Sequence, residues 1–504
     1  MQARETQARL TGRIAAGPAQ LLHEEILRPQ FEFDLAHLLP WYVRAEKVIC
    51  LEYRRMGLIG AADAGHIARA LDTADAGTLR PAPDENMSDL AFALERHVAG
   101  RLPAPVPMWH VDRSRNDLQA CAQLMHGRWR LLGAIDTMLA CARVAHGRAG
   151  EFRSTPMPGY THFQAAQVVT AGFHLAALSG YLIHAARRLL STYDDIDLCP
   201  LGAGAMAGQE LAWDRDRMAR LLGFAAPQPH PLTAVASRTW VLEVAAECST
   251  TGVTLSRFVT DLMSWGGAQL IDLPDELSGI SSAMPQKKNF PILERIRGKT
   301  AHLTSWYADT ATAQRATPYS NSVEVAKEGG VSGLDAGLSG LESLLRLLTC
   351  VLERLSCDTE RMRSACRGHH LGAFTLANQL TLRTGMPWRL AQVVVGEYVV
   401  AAGPDDDEPR PELLVTVAAR HGWTVPDAAG LLDAAGDPDR LLTMKSEHAS
   451  AHPAAVAELL SAQDGDLADL DRRSAERRRR ADVADRLTEM FAHDTEEERC
   501  ATTA

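Results

Sequence analysis

The chain has 504 residues, of which 46% are hydrophobic and 23% charged, and its net charge is −11; this length predicts about three domains of roughly 150 residues each. The acidic balance argues against a nucleic-acid surface, and no P-loop or dinucleotide-binding glycine pattern occurs. The longest apolar stretches, such as Met138 to Ala145 with Arg143 inside it, fall well short of the ~20 residues that a bilayer span needs.

In chain order, Met1 to Ala16 carries Arg4, Glu5, Arg9 and Arg13 without an apolar core, so no secretory signal is expected. From Leu21 to about Arg101, Phe33, Leu35, Leu38, Leu39, Tyr42 and Val43, then Val48, Leu51, Tyr53 and Met56, recur at helical spacing. Ser88-Asp89 precedes another helical run. Pro103, Pro105 and Pro107 make a stiff, extended break, which places the first domain boundary at residue 107. Nine cysteines lie scattered without a C-x-x-C spacing, so buried thiols in a reducing cytoplasm are expected. Only Cys366 has histidines close by, His369 and His370, and one such cluster falls short of a metal site. No metal is expected.

Three polar constellations follow. In the first, Ser114, Arg115, Asn116 and Asp117 open a long helical stretch from Leu118 to Gly150. They read either as a cap with surface charge or as a clamp, because a guanidinium fork binds a carboxylate through two bonds and a neighbouring amide holds another oxygen. In the second, Thr161, His162 and Gln164 precede an apolar stretch expected to be helical from Ala165. His162 reads as a packing residue or as a group that exchanges protons near neutral pH. The glycine-rich turn Pro200 to Gly208 serves either tight helix packing or backbone donation to a ligand.

Long helical runs come next, with Val241, Val244, Ala245, Cys248, Leu255, Val259 and Leu262 forming one apolar stripe. Helices of that length imply a bundle, with continuation across subunits as an open possibility. The third constellation interrupts them. From Gly279 to Asn289 the chain carries Ser281, Ser282, Met284, Lys287, Lys288 and Asn289 around Pro285. Glycine and proline punctuation predicts a loop, and Pro291 predicts the next helix, with Leu293 and Ile296 facing inward. Such a loop reads as a solvated turn or as an anion site at a helix N-terminus, and a carboxylate-bearing substrate fits the latter. Tyr319, Glu324 and Lys327 lie in a further polar segment. After Cys357 a smaller helical domain is expected, then an acidic loop at 403–409, then a charged tail from Leu467, read as a solvated helix that frays.

The third constellation resembles the signature loop of the fumarase, aspartase and argininosuccinate lyase superfamily, Gly-Ser-Ser-x-Met-Pro-x-Lys-x-Asn. Ser281, Ser282, Met284, Pro285, Lys287 and Asn289 match it, while Ile280 stands where the glycine is and Gly279 lies one step earlier. Ser114 to Asp117 is similar to the Ser-Arg-Asn-Asp motif of argininosuccinate lyases. Residues Pro158 to Gln164 resemble their Pro-Gly-Tyr-Thr-His-x-Gln motif, which narrows the superfamily to that branch. Two segments depart from it: Ser237 and Thr239 replace acids on either side of Arg238, and the 320–324 segment keeps few of the family's residues.

The resemblance implies an all-α, three-domain fumarase/aspartase-like fold whose long central helical bundle assembles into a tetrameric helical core. The expected divisions are 1–107, 108–360 with the signature loop at 279–290, 361–466, and the tail 467–504. It further implies a carbon-nitrogen lyase that eliminates an amine from an N-substituted aspartate to leave fumarate, with no cofactor. Each active site would gather the three motif regions from three different subunits. Ser281 would be the base and Lys287 and Asn289 would stabilise the intermediate. His162 would donate a proton to the amine. Ser114, Arg115, Asn116, Thr161, Gln164, Arg238, Ser282, Met284, Tyr319, Glu324 and Lys327 would contact substrate. Two alternatives remain: a lyase of the ethylenediamine-disuccinate kind that joins a non-arginine amine to fumarate, and a catalytically idle delta-crystallin-like structural protein.

Overall fold

The computed structural model describes residues 16–319, 330–403 and 408–493. Near the start, α1 (Arg28–His37), α2 (Leu39–Arg55), α3 (Ala61–Asp72) and α4 (Leu90–Ala99) form a layer of short helices. Asp89 caps α4 by accepting a hydrogen bond from the Ala91 N–H, a position that Asp favours, and the helical run expected after Ser88-Asp89 follows.

Five long helices make the body: α5 (Arg115–Glu151), α6 (Ala171–Asp195), α7 (Thr239–Gly267), α8 (Pro291–Gln314) and α9 (Val331–Arg354). The expected stripe on α7 is buried, with Val241, Val244, Cys248, Leu255 and Val259 all fully enclosed. Leu293 and Ile296 of α8 are enclosed likewise. Gly127 lets α5 and α7 approach, because a Cβ there would stand 2.4 Å from the Trp240 ring. One apolar core runs without a break from Phe31 in α1 through the bundle to Leu470.

Beyond α9, a short strand pair brings Ile271 opposite Cys357, and α10 (Thr359–Ala365) follows it. Then α11 (Ala373–Thr384), α12 (Trp388–Ala402), α13 (Pro411–Arg420) and α14 (Ala428–Gly436) enclose a separate core around Leu380, Val394, Leu414 and Leu431.

Two expectations are corrected. The segment after Gln164 is not helical: β1 (Pro156–Thr161) and β2 (Gln164–Thr170) form an antiparallel hairpin, and α6 begins only at Ala171. Thr170 caps that helix through the Phe173 N–H, so the helix start lies six residues later than the alanines imply. Nor is the described part of the tail, 467–493, a solvated helix throughout; residues 494–504 lie outside the described residues. The described part belongs to α15 (Pro453–His493), one face of which packs on α5, α6 and α2. Leu467 and Leu470 enter the main core, and Thr488 Oγ1 donates to Leu221 O. The charges also find partners: Arg477 meets Asp194 at 2.6 Å, and the almost fully buried Lys47 of α2 lies 2.6 Å from both Glu489 and Asp72. The Leu470→Ala variant should therefore lose about 2–5 kcal/mol of stability, read as a lower urea midpoint; a solvated tail would leave the midpoint unchanged.

Candidate active site

Ser114 caps α5 by accepting from the Asn116 N–H at 3.1 Å, which leaves Arg115 and Asn116 on the first turn. Arg115 Nη1 meets Asp89 Oδ2 at 2.7 Å, and its guanidinium lies 5.6 Å from the Phe92 ring. Asp89, the cap of α4, thus also holds the arginine. Asn116 Nδ2 reaches Ala205 O at 3.5 Å, which brings the glycine-rich turn beside the start of α5.

Asp117 organises that turn. Its Oδ2 accepts from Gly202 N at 2.9 Å and Gly204 N at 3.0 Å, so these two backbone donors serve Asp117. Burial pushes its carboxyl up to about 6 against the pull of those donors. Because this value stands above the ordinary carboxylate value of about 3.9, the folded chain holds the proton more readily than the unfolded one. The charge therefore subtracts stability increasingly as pH rises from about 4 to about 6, and by a constant amount above that. Asp117→Asn should flatten that part of the melting-temperature profile; a slope equal to that of the unmodified chain would contradict this.

Arg238 is 6% exposed; it bonds Gln123 at 3.0 Å and the carbonyls of Val235 and Ser237. With Ser237, Thr239, Trp240 and Glu243 it frames a cavity of about 190 Å³. Tyr319 Oη contacts Thr233 Oγ1 at 3.4 Å, and Gln314 donates to Arg238 O. Glu324 and Lys327 lie outside the described residues.

The signature loop is a hairpin. Strands β3 (Gly279–Ile280) and β4 (Lys288–Asn289) pair antiparallel and close it just before α8. Ser281 Oγ accepts from the Met284 N–H at 3.0 Å and the Ala283 N–H at 3.4 Å. Backbone donors aimed at a hydroxyl oxygen stabilise negative charge on it. Lys288 is committed to Asp272 at 3.1 Å and Asp275 at 3.2 Å and so anchors the loop. Lys287 is exposed and has no ion pair among the described residues. Ser282, also exposed, and Met284, 44% exposed, stand on the loop beside it, and Asn289 is half-buried at its base.

His162 and Phe163 are the two-residue tip of the hairpin β1–β2, at φ +53° and +61°, with Thr161 paired to Gln164 beneath them. A two-residue turn of this hand favours Asn and Gly, so two bulky residues there store strain of the kind that collects at functional sites. Phe163 is 80% exposed.

These groups stand at two ends of the molecule. Arg115 opens α5 and the His162 hairpin follows its far end, 37 residues or about 55 Å along the axis. Arg238 precedes α7 and the signature loop follows it, 29 residues or about 43 Å away. Helix α8 then returns the chain to Tyr319. Arg148 near the end of α5 donates to Leu355 O, and Asp358 N donates to Leu270 O, which puts the hairpin and the signature loop at one end. Arg115, Asn116, Arg238 and Tyr319 lie at the other.

A family model described as a lyase matches residues 61–304. The argininosuccinate lyase of Methanothrix thermoacetophila is 30% identical over 464 residues, covering 90% of each chain. The chain belongs to the argininosuccinate lyase branch of the fumarase/aspartase superfamily. An argininosuccinate lyase of Shouchella clausii is similar at 27% identity, over 97% of this chain and 99% of that one. Among solved structures, EDDS lyase in complex with formate superposes with a TM-score of 0.83 at 23% identity, covering 96% of this chain and 97% of that one. A class II fumarase from Schistosoma mansoni does so at 0.64 and 16%, over 81% and 94%. Both carry the fold of long helices described above. For this branch member the hairpin tip, the loop and the clamp are the three places to seek chemistry.

Proposed function

We propose that this carbon-nitrogen lyase eliminates an amine from an N-substituted aspartate and leaves fumarate, in a homotetramer whose sites are built from several subunits. The separation of the clamp from the loop and hairpin by the length of the bundle carries the reading. No single chain can close the three groups on one small molecule. Packed antiparallel, two bundles set the clamp end of one against the loop end of another. Ile280, 93% exposed beside Ser281, and Phe163 at the hairpin tip are apolar side chains that such a neighbour would cover.

In the assembled site Arg115 and Asn116 hold the carboxylates. Ser281, its oxygen already facing two backbone donors, takes the proton from the carbon next to one carboxylate. Charge then grows on that carboxylate, and Lys287 and Asn289 meet it, the largest usual catalytic contribution. His162 supplies a proton to the departing nitrogen, steered by Thr161 and Gln164. Ser114 acts through the helix cap, while Arg238, Ser282, Met284, Tyr319, Glu324 and Lys327 complete the contacts. The eight cysteines of the described residues are free thiols, which supports a cytoplasmic location.

The amine is open to a second reading: Ser237 and Thr239 place neutral hydroxyls at the cavity beside Arg238, which suits an amine other than arginine. Fumarate incubated with a panel of amines, arginine included, should lose its ultraviolet absorbance with at least one of them. No loss with any amine, and no fumarate formed from argininosuccinate, would favour an idle structural protein instead.

Arg115→Lys removes the two-pronged contact. One lost bond to a charged group is worth about 1.5–3 kcal/mol, so KM should rise on the order of tenfold or more. An unchanged KM would remove Arg115 from the clamp.

A further inference from the structure

Three helices remote in sequence bring together metal-ligating side chains that the candidate active site does not use. His37 closes α1, His126 lies three turns into α5, and Asp335 lies one turn into α9; one ligand atom of each falls within 4.8 Å of the others. His126 is 2% exposed, while His37 faces solvent. Arg130 Nε stands 2.8 Å from Asp335 Oδ1, which leaves Oδ2 against His126 Nε2 at 2.6 Å. Trp41 Nε1 lies 3.3 Å from His126 Nδ1, and the Trp129 ring is 5.9 Å from the imidazole. An indole N–H only donates, so Nδ1 accepts and the ring carries its proton on Nε2, toward Asp335.

We propose that His37, His126 and Asp335 form a binding site for a divalent ion of the zinc class. Two imidazoles and a carboxylate are a donor set such ions take, with a fourth position open to water. Arg130 orients the carboxylate through the oxygen the ion does not use. Bonds of about 2.0–2.2 Å require the ligands to draw together, and the exposed His37 at its helix end supplies that movement. The ion takes the Nε2 lone pair and displaces the proton there; the ring takes up one at Nδ1, so His126 stays neutral and no net proton leaves it. The new Nδ1–H then faces the Trp41 N–H. Two donors repel, so the indole turns away when the ion binds.

The competing account is a plain hydrogen bond between His126 and Asp335 that ties α5 to α9 and binds nothing. Full-length protein stripped with EDTA, the chelator then removed, is titrated with Zn²⁺ and separately with Co²⁺, while tryptophan fluorescence and visible cobalt absorption are recorded. The expected result is a saturable fluorescence change at one ion per chain, with the strong visible bands of four-coordinate cobalt. His37→Gln, at an exposed position, should bind roughly 10–100-fold more weakly, at least the loss seen for an outer partner. Trp41→Phe, which removes the opposing donor, should bind at least as tightly as the unmodified chain and show a smaller fluorescence change. Absence of saturable binding, or His37→Gln binding equal to that of the unmodified chain, would overturn the proposal and leave the hydrogen bond as the account.

Discussion

Replacing Ser281 by alanine is expected to lower turnover by about 10²–10⁴-fold, the usual worth of a positioned base, while leaving the oligomer intact. A serine hydroxyl is a weak base, and its use here depends on what stabilises the alkoxide. The loop provides two backbone donors, from Ala283 and Met284, aimed at Oγ. Lys287, without an ion pair among the described residues, adds a movable positive charge close by in sequence. Alanine removes the oxygen and the two turn bonds it accepts, but leaves the strands β3–β4 and the Lys288 anchor to Asp272 and Asp275 in place. Initial rates at saturating substrate, with size-exclusion profiles for both proteins, check it. A variant that keeps its oligomer and turns over at the unmodified rate would take the role of base away from Ser281.

Much of the fold was legible because it is local. The α7 stripe and the α8 start at Pro291 follow from helical spacing and proline geometry. The hairpin at 156–170 was not, because Ala165, Ala166 and Val168 fit a helix as well as a strand. Only the pairing of Pro156 with Thr170 across the turn decides between them. The tail misled for another reason. Its buried face uses few large apolar residues among many charges, and the groups that neutralise those charges, Asp194 and Lys47, lie hundreds of residues away.

The site was legible as three motifs and illegible as one place. Arg115 and Asn116 were found at a helix start, as read, but Asp89 beneath the guanidinium left no signal beyond its place before a helical run. Asp117 likewise gave no hint that it would take the glycine-rich turn's N–H groups. The distance between the clamp and the loop follows from helix lengths, and a motif carries no information about which neighbour supplies its partner.

The shared site makes a demand that no single-chain enzyme would meet. Arg115→Met and Ser281→Ala each disable every site of a pure oligomer, the first at the clamp end and the second at the loop end. When the two proteins are dissociated, mixed in equal amounts and reassociated, random assembly pairs an intact clamp from one chain with an intact loop from the other at about one site in four. Activity of the mixed oligomer is the direct measurement. The account predicts recovery toward a quarter of the unmodified rate, from two parents that are each nearly inactive. A fully exchanged mixture that stays as inactive as its parents would mean that clamp and loop serve the same chain, and would contradict it.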